Sequence, residues 1–367
     1  MRPPIHQLVH TLSYGDAISG AVIALQRVFR ESGHESEIYA INTHPRYKGL
    51  TKDYRTLSTE YAGEIVLHLS IGSPLSQLYL SLTAARRTVI YHNITPSRWF
   101  SGVNPRVVRD IEQGMNELRE VMDVSDRVLA DSQFNASELE KFTTSVQVLP
   151  LTVDPARWTE GANAGITSLL KSDPSIHLLH IGRMAPNKCI EDILKIFYFV
   201  HHHVEPRSVL WLVGIDIDTE IYSFSLKKMA RELEIDDAVR FVGGMSDSEV
   251  RAFYEHSSAY LCMSEHEGFC LPVIEAMHFG LPVVAFDSSA VTETIAGGGI
   301  LVHEKRHAEI AELVVDLSRS GSLRERVVAA GFERVADFSF DRFAENARAI
   351  FNQDMAVDPK QVSQEAR

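Results

Sequence analysis

The sequence predicts an α/β protein of two doubly wound, Rossmann-like domains facing a central cleft. Its 367 residues, 45% of them hydrophobic, are too many for one ordinary domain and enough for two full cores. Short apolar runs alternate with helically spaced segments, the pattern of a parallel sheet. That alternation runs twice, with one break between.

The first run opens with a strand at 5–9, a loop at Ser13-Tyr14-Gly15-Asp16, a helix over 18–30 and a strand at 37–40. Apolar runs at 65–69, 88–92, 127–130 and 146–150 each precede a polar or small-residue turn. Residues 150–164, with Pro150, Pro155 and Gly161, lose the rhythm and read as the linker. The second run places strands at 176–181, 209–213, 239–242, 259–263 and 282–286. Helices are expected between them at 190–200, 222–233, 248–254 and 272–279, and after them at 307–317 and 322–336. The expected domains are residues 1–157 and 158–338. A helix within 339–353 lies beyond the second domain's own elements and is expected to pack back on the first. Residues 354–367 read as a polar, frayed tail.

The formal charge of -13 is uneven. Residues 1–157 hold 16 Lys/Arg against 17 Asp/Glu, and the remainder 20 against 32. The N-terminal half is therefore the less repulsive toward anionic surfaces. No basic stripe of the kind nucleic acid requires is present. Cys189, Cys262 and Cys270 form no C-x-x-C pair, so packing is their expected role, and the Cys262–Cys270 spacing gives no metal site. The opening residues lack a secretory signal's apolar core, and no apolar run reaches the roughly 18 residues a membrane span needs. The chain reads as cytoplasmic, with loose attachment to a membrane face left open.

Residues 264–275 hold the strongest chemical signal. Glu267 and Glu275 stand either side of a Gly-Phe-x-x-Pro turn. Carboxylates only accept hydrogen bonds, and the hydroxyls of a sugar and a ribose are matched donors. Solvated acids near a helix start are the plain alternative. Gly268 permits the bend. Backbone N–H groups along Gly268-Phe269-Cys270-Leu271 could hold a phosphate or sugar oxygen, with the Phe269 ring packing inward. Arg183 and Lys188 follow strand 176–181, and paired cations suit a leaving group that gains negative charge. Gly15 and Asp16 open the first helix, and Asp16 either caps it or binds an acceptor hydroxyl. His92 ends an apolar run, and His68, a weaker candidate, ends an earlier one. Arg98 could help bind an anionic acceptor, but Trp99-Phe100 beside it suggest packing or a lipid-facing patch equally well. Ser288-Ser289-Ala290 and Glu293 suit a helix start equally well. Asp216-Ile217-Asp218 spells a metal-binding D-x-D but reads as a solvated loop.

HIGRMAPNKCIEDIL, VLWLVG, VRFVGGMSDSEV, AYLCMSEHEGFCLPVIEAM and GLPVVAFDSSAVTETIAGGGILV follow one another over residues 176–302. Together they resemble the retaining GT-B enzymes of glycosyltransferase family 4. SYGDAISGAV and YHNITP resemble bacterial polysaccharide mannosyltransferase-like members less specifically. The resemblance makes residues 1–157 the acceptor side and 158–338 the nucleotide-sugar side. It implies Arg183 and Lys188 on the diphosphate, Glu267 on the donor sugar and Glu275 on the ribose. It places Gly15 and His92 near the phosphate or sugar, and an acid at Glu293 close to the nucleotide pocket. The implied reaction moves a hexose from a nucleotide sugar, with GDP-mannose preferred and UDP-sugars the rival. The implied acceptor is a glycan or lipid-linked glycan; no cofactor is expected, and no metal, because Arg183, Lys188 and helix N-termini can already supply positive potential. An epimerase or phosphorylase of the same plan, and a non-catalytic sugar-nucleotide-binding subunit, remain alternatives.

Overall fold

The computed structural model describes residues 2–319 and 321–352, so the expected tail at 354–367 lies outside the described residues. The N-terminal domain runs β1 (Ile5–Leu12), α1 (Ala17–Glu31), β2 (Ile38–Thr43), β3 (Thr51–Asp53), β4 (Glu64–Leu69) and α2 (Pro74–Ser81). It continues with β5 (Arg86–Tyr91), α3 (Pro105–Val124), β6 (Arg127–Ala130), α4 (Gln133–Leu139) and β7 (Gln147–Val148). Its seven strands lie in the order β3-β2-β1-β4-β5-β6-β7, and their pairings are parallel. Strands covered on both faces need near-continuous apolar sequence. β4 accordingly buries every residue of Glu-Ile-Val-Leu-His-Leu.

The C-terminal domain begins with α5 (Ala164–Ser172), β8 (Ile176–Ile181), α6 (Ile190–Phe199), β9 (Ser208–Val213), α7 (Glu220–Glu232) and β10 (Val239–Val242). Next come α8 (Asp247–His256), β11 (Ala259–Cys262), α9 (Leu271–His278), β12 (Val283–Phe286), α10 (Ser289–Ile295), β13 (Ile300–Val302), α11 (His307–Ser318) and α12 (Ser322–Val335). Six strands form the sheet β10-β9-β8-β11-β12-β13. Helix α5, starting at the last residue of the expected linker, was not expected, nor were β3 and β13. Both strands have three residues, too short for a periodic signal.

The chain crosses between domains twice, side by side. The Val153 N–H and the Thr152 hydroxyl both donate to the Phe338 carbonyl, at 3.0 and 2.9 Å. After that second crossing, α13 (Phe340–Asn352) lies against α1 of the N-terminal domain. Phe343, Ala347, Ile350 and Phe351 join the same core as Leu25 and Phe29.

Strand order reverses between β1 and β4 and between β8 and β11. In open α/β sheets such switch points open crevices beyond the carboxyl ends of the strands. Beneath the second crevice, His180 on β8 is 2% exposed. Its Nδ1–H donates to the Leu261 carbonyl at 2.8 Å, and Nε2 has no partner among the described residues. Burial therefore pushes its pKa down to about 4. A depressed histidine stabilises the fold fully above its unfolded pKa near 6.5, and that contribution fades as pH falls toward 4. The loss expected by pH 4 is roughly 3 kcal/mol. Urea unfolding at pH 7 and pH 4.5 should show a smaller stability loss in His180→Gln than in the parent. Equal losses would reject this assignment.

Candidate active site

Two loops meet at the β8/β11 switch point. The loop after β8 carries Arg183 and Lys188, and the loop after β11 carries Glu267. Asn187 fastens them together. Its side-chain amide donates to the His266 carbonyl at 2.9 Å, and its own carbonyl accepts from the Glu265 N–H at 3.0 Å. Lys188 Nζ then reaches both Glu267 oxygens at 2.6 Å. The two side chains are 19% and 8% exposed. Burial alone would lower the Lys188 pKa, but the Glu267 carboxylate outweighs it and raises the pKa above the ordinary lysine value.

Arg183 donates from Nη2 to the Ile217 carbonyl at 2.7 Å. Burial lowers its pKa, opposed by Asp218 and Glu220, and it feels both Arg106 and Asp16 of the facing domain. Glu275 is buried on α9, bonded to Arg157 Nη1 and to the Tyr254 hydroxyl, the latter at 2.9 Å. Arg157, from the interdomain segment, also binds Asp247 at 2.7 Å. The Asp247 N–H donates in turn to the Tyr14 hydroxyl of the N-terminal loop at 2.6 Å.

The turn between the two acids is shaped by packing. Phe269, Cys270 and Leu271 turn their side chains into the core, and Phe269 meets Phe338 edge-on at 5.4 Å. Only their backbone faces outward chemistry. Gly268 abuts the other domain. A Cβ there would lie 2.8 Å from Asn93 Cβ and from the His92 carbonyl oxygen. His266 Nε2 meets Asn93 Oδ1 at 2.7 Å across the same contact. Glu293 reaches over as well, accepting from the N–H groups of Gln133 and Phe134 at 2.9 and 2.8 Å. It caps helix α4 of the N-terminal domain with one bond on each oxygen. Ser288 and Ser289 brace the acid loop, bonding the Ser264 carbonyl and the Glu267 N–H at 2.6 and 2.9 Å.

His92 departs from the expectation. Its side chain is 1% exposed, and both nitrogens are bonded within the N-terminal domain. Nδ1 meets Asp131 Oδ2 at 2.9 Å, and Nε2 meets His68 Nδ1 at 2.9 Å. His68 Nε2 continues to Gln7 Oε1 at 2.9 Å. Gln7 donates its amide to the Val22 carbonyl, so its oxygen must accept from His68 Nε2–H. Burial drives the His68 pKa well down, so His68 is neutral and accepts at Nδ1 from His92 Nε2–H. Gln7, His68, His92 and Asp131 thus form one buried hydrogen-bonded chain.

Gly15 adopts φ +75 with open space around it, and Asp16 accepts from the Ser19 N–H at 2.8 Å as the cap of α1. The loop borders a cavity of about 160 Å³ lined by His10, Thr11, Ser13, Asp16 and Ser70. Asp218 of the D-x-D is not simply solvated, since it pairs with Arg106 of the other domain at 2.5 Å. Glu265 binds Lys305 at 2.7 Å. Sequence reasoning missed Arg157, Tyr254, Asn93, Asp131 and the role of His266. Only His266, next to Glu267, carried a local signal.

Two parallel-sheet, Rossmann-like domains with switch points facing one cleft constitute the GT-B architecture. Residues 166–334 match the family model described as glycosyl transferases group 1, which is nearly the whole C-terminal domain. The chain is 25% identical over 166 residues to O-antigen chain mannosyltransferase B of Escherichia coli, covering 45% of this chain and 42% of that protein. The solved structure of sucrose-phosphate synthase from Thermosynechococcus elongatus superposes with a TM-score of 0.76 at 17% identity, covering 97% and 100% of the two chains. Anabaena HepE in complex with UDP-glucose gives a TM-score of 0.70 at 15% identity, covering 96% and 100%. The sequence matches span 30%, 42% and 59% of the lengths of three curated relatives. Among the described residues no helix is long and apolar enough to cross a membrane.

Proposed function

We propose that this protein is a hexosyltransferase. It moves a sugar from a nucleoside diphosphate to a hydroxyl of a glycan or lipid-linked glycan, with retention at the anomeric carbon. The observation that carries the reading is the buried Lys188–Glu267 pair, with Arg183 on the same loop as Lys188, at a switch point that faces a second domain. Lys188 and Arg183 would stabilise the departing diphosphate, and Glu267 would orient the sugar hydroxyls. Glu275 uses one bond on each oxygen for Arg157 and Tyr254. A carboxylate has about four acceptor positions, so it keeps capacity for ribose hydroxyls. The acceptor would approach from the cavity beside Ser13 and Asp16. Closure of the domains would exclude water. Those fixed cations would make a metal unnecessary, with no loss of turnover in excess chelator.

GDP-mannose is the preferred donor, in keeping with the mannosyltransferase relative. A UDP-sugar is the second reading, favoured by the UDP-glucose bound in the Anabaena structure. A thermal-shift screen against nucleotide sugars separates them. A donor at 100 times its Kd should stabilise the fold by about 2.7 kcal/mol. GDP-mannose alone should raise the melting temperature, with mannose transferred on adding a glycan acceptor. No shift with any nucleotide sugar would reject the whole reading. Sugar phosphate formed from added phosphate would replace it with a phosphorylase, and binding without turnover on any acceptor would leave a binding subunit.

A further inference from the structure

We propose that Cys262, Cys270 and Glu267 form a binding site for a thiophilic divalent cation, Zn²⁺ by its chemistry. Cys262 ends β11, Cys270 immediately precedes α9, and Glu267 sits in the loop between them. The loop folds back so that the two Sγ atoms stand 3.8 Å apart. Both sulfurs and a Glu267 oxygen lie within 4.8 Å of one another, and all three residues are buried. Zinc bonds sulfur at about 2.3 Å, and two such bonds at a tetrahedral angle set their sulfurs about 3.8 Å apart. The pair therefore already has the bite of a tetrahedral centre. The C-x7-C spacing had suggested no such site, because the strand-to-helix turn that closes it is invisible in the spacing.

The charges balance. Binding releases two thiol protons, leaving two thiolates and one carboxylate around a dication. That sums to one negative charge, which the Lys188 ammonium at 2.6 Å from Glu267 offsets. Glu267 would give one oxygen to the metal and keep the other on Lys188, with the fourth position open. A second cluster, Cys189, Asp192 and Glu265, is a poorer candidate. Lys305 already bridges its two carboxylates at 2.7 Å each, and Glu265 is exposed. Resting on the proposed function, metal and donor sugar would exclude one another, since both require Glu267. The metal would act as an inhibitor of the transferase.

Cobalt(II) titration of the full chain, anaerobic and with a phosphine reductant, tests the site without any donor. The expected result is one Co²⁺ per chain with a thiolate-to-cobalt charge-transfer band, lost on adding Zn²⁺. Cys262→Ser and Cys270→Ser should each diminish that band, Glu267→Gln should weaken binding at least tenfold, and Cys189→Ser should change nothing. The wild-type band intensity counts thiolate ligands even where a serine variant fails to fold. A spectrum of nitrogen and oxygen ligation alone, such as the His201-His202-His203 run would give, overturns the proposal. So does a thiolate band that survives both serine changes or disappears with Cys189→Ser.

Discussion

Lys188→Ala should cut turnover by about 10²–10³-fold, the usual cost of removing one preorganised charge from a transition state. It should also destabilise the fold by about 3 kcal/mol, because Glu267 is left buried without its partner. Both effects follow from one contact, Nζ to the two Glu267 oxygens at 2.6 Å. The two consequences can be pulled apart. Lys188→Met with Glu267→Gln removes both charges together, so most of the stability should return while activity stays lost. Chemical denaturation measures the first and product release the second. The Lys188 pKa is raised in the fold. Its contribution is thus complete at neutral pH and fades only above the unfolded lysine value near 10.4. Wild-type turnover in Lys188→Ala would remove the cation from the mechanism.

Gly268→Ala should hold the cleft open. The new Cβ would lie 2.8 Å from Asn93 Cβ and the His92 carbonyl oxygen, and 3.0 Å from Asn135 Nδ2. Those neighbours all belong to the opposite domain, and two of the three atoms sit in tightly bonded groups. The easiest relief is separation of the domains, which breaks the His266–Asn93 bond. Each domain keeps its own core, so thermal stability should change little. The radius of gyration in solution scattering should increase, and turnover should fall at least tenfold, the size of about 1.4 kcal/mol of misplaced geometry. Gly15→Ala is the control, because its Cβ meets nothing within 4 Å and only its positive φ would be strained. An unchanged scattering profile in Gly268→Ala would show that the contact does not govern closure.

Much of this site was legible because its residues sit close together in sequence. Glu267 and Gly268 lie on one turn with Glu275 on the helix that follows it, and Arg183 and Lys188 lie on another turn. The strand-turn-helix rhythm put both turns at strand ends. The groups that reading missed are remote partners. Arg157 meets Glu275 across 118 residues, and His266 meets Asn93 across 173. No local spacing encodes such pairs. Glu293 shows the reverse failure. The sequence offered Glu293 as part of a helix start or as an acid near a nucleotide pocket, and the helix it caps, α4, is in the other domain. His92 was legible as a polar group at a strand end. The buried chain through Asp131, His68 and Gln7 that consumes its hydrogen bonds was not.

Helix α13, which follows the second domain in the chain, completes the hydrophobic interior of the first. That lobe cannot finish folding on the ribosome while its closing segment is still being translated. A nascent chain cut after residue 157 would present Leu25 and Phe29 without Phe343, Ile350 and Phe351 to cover them. Folding of the first lobe is in this way tied to synthesis of the segment that follows the second.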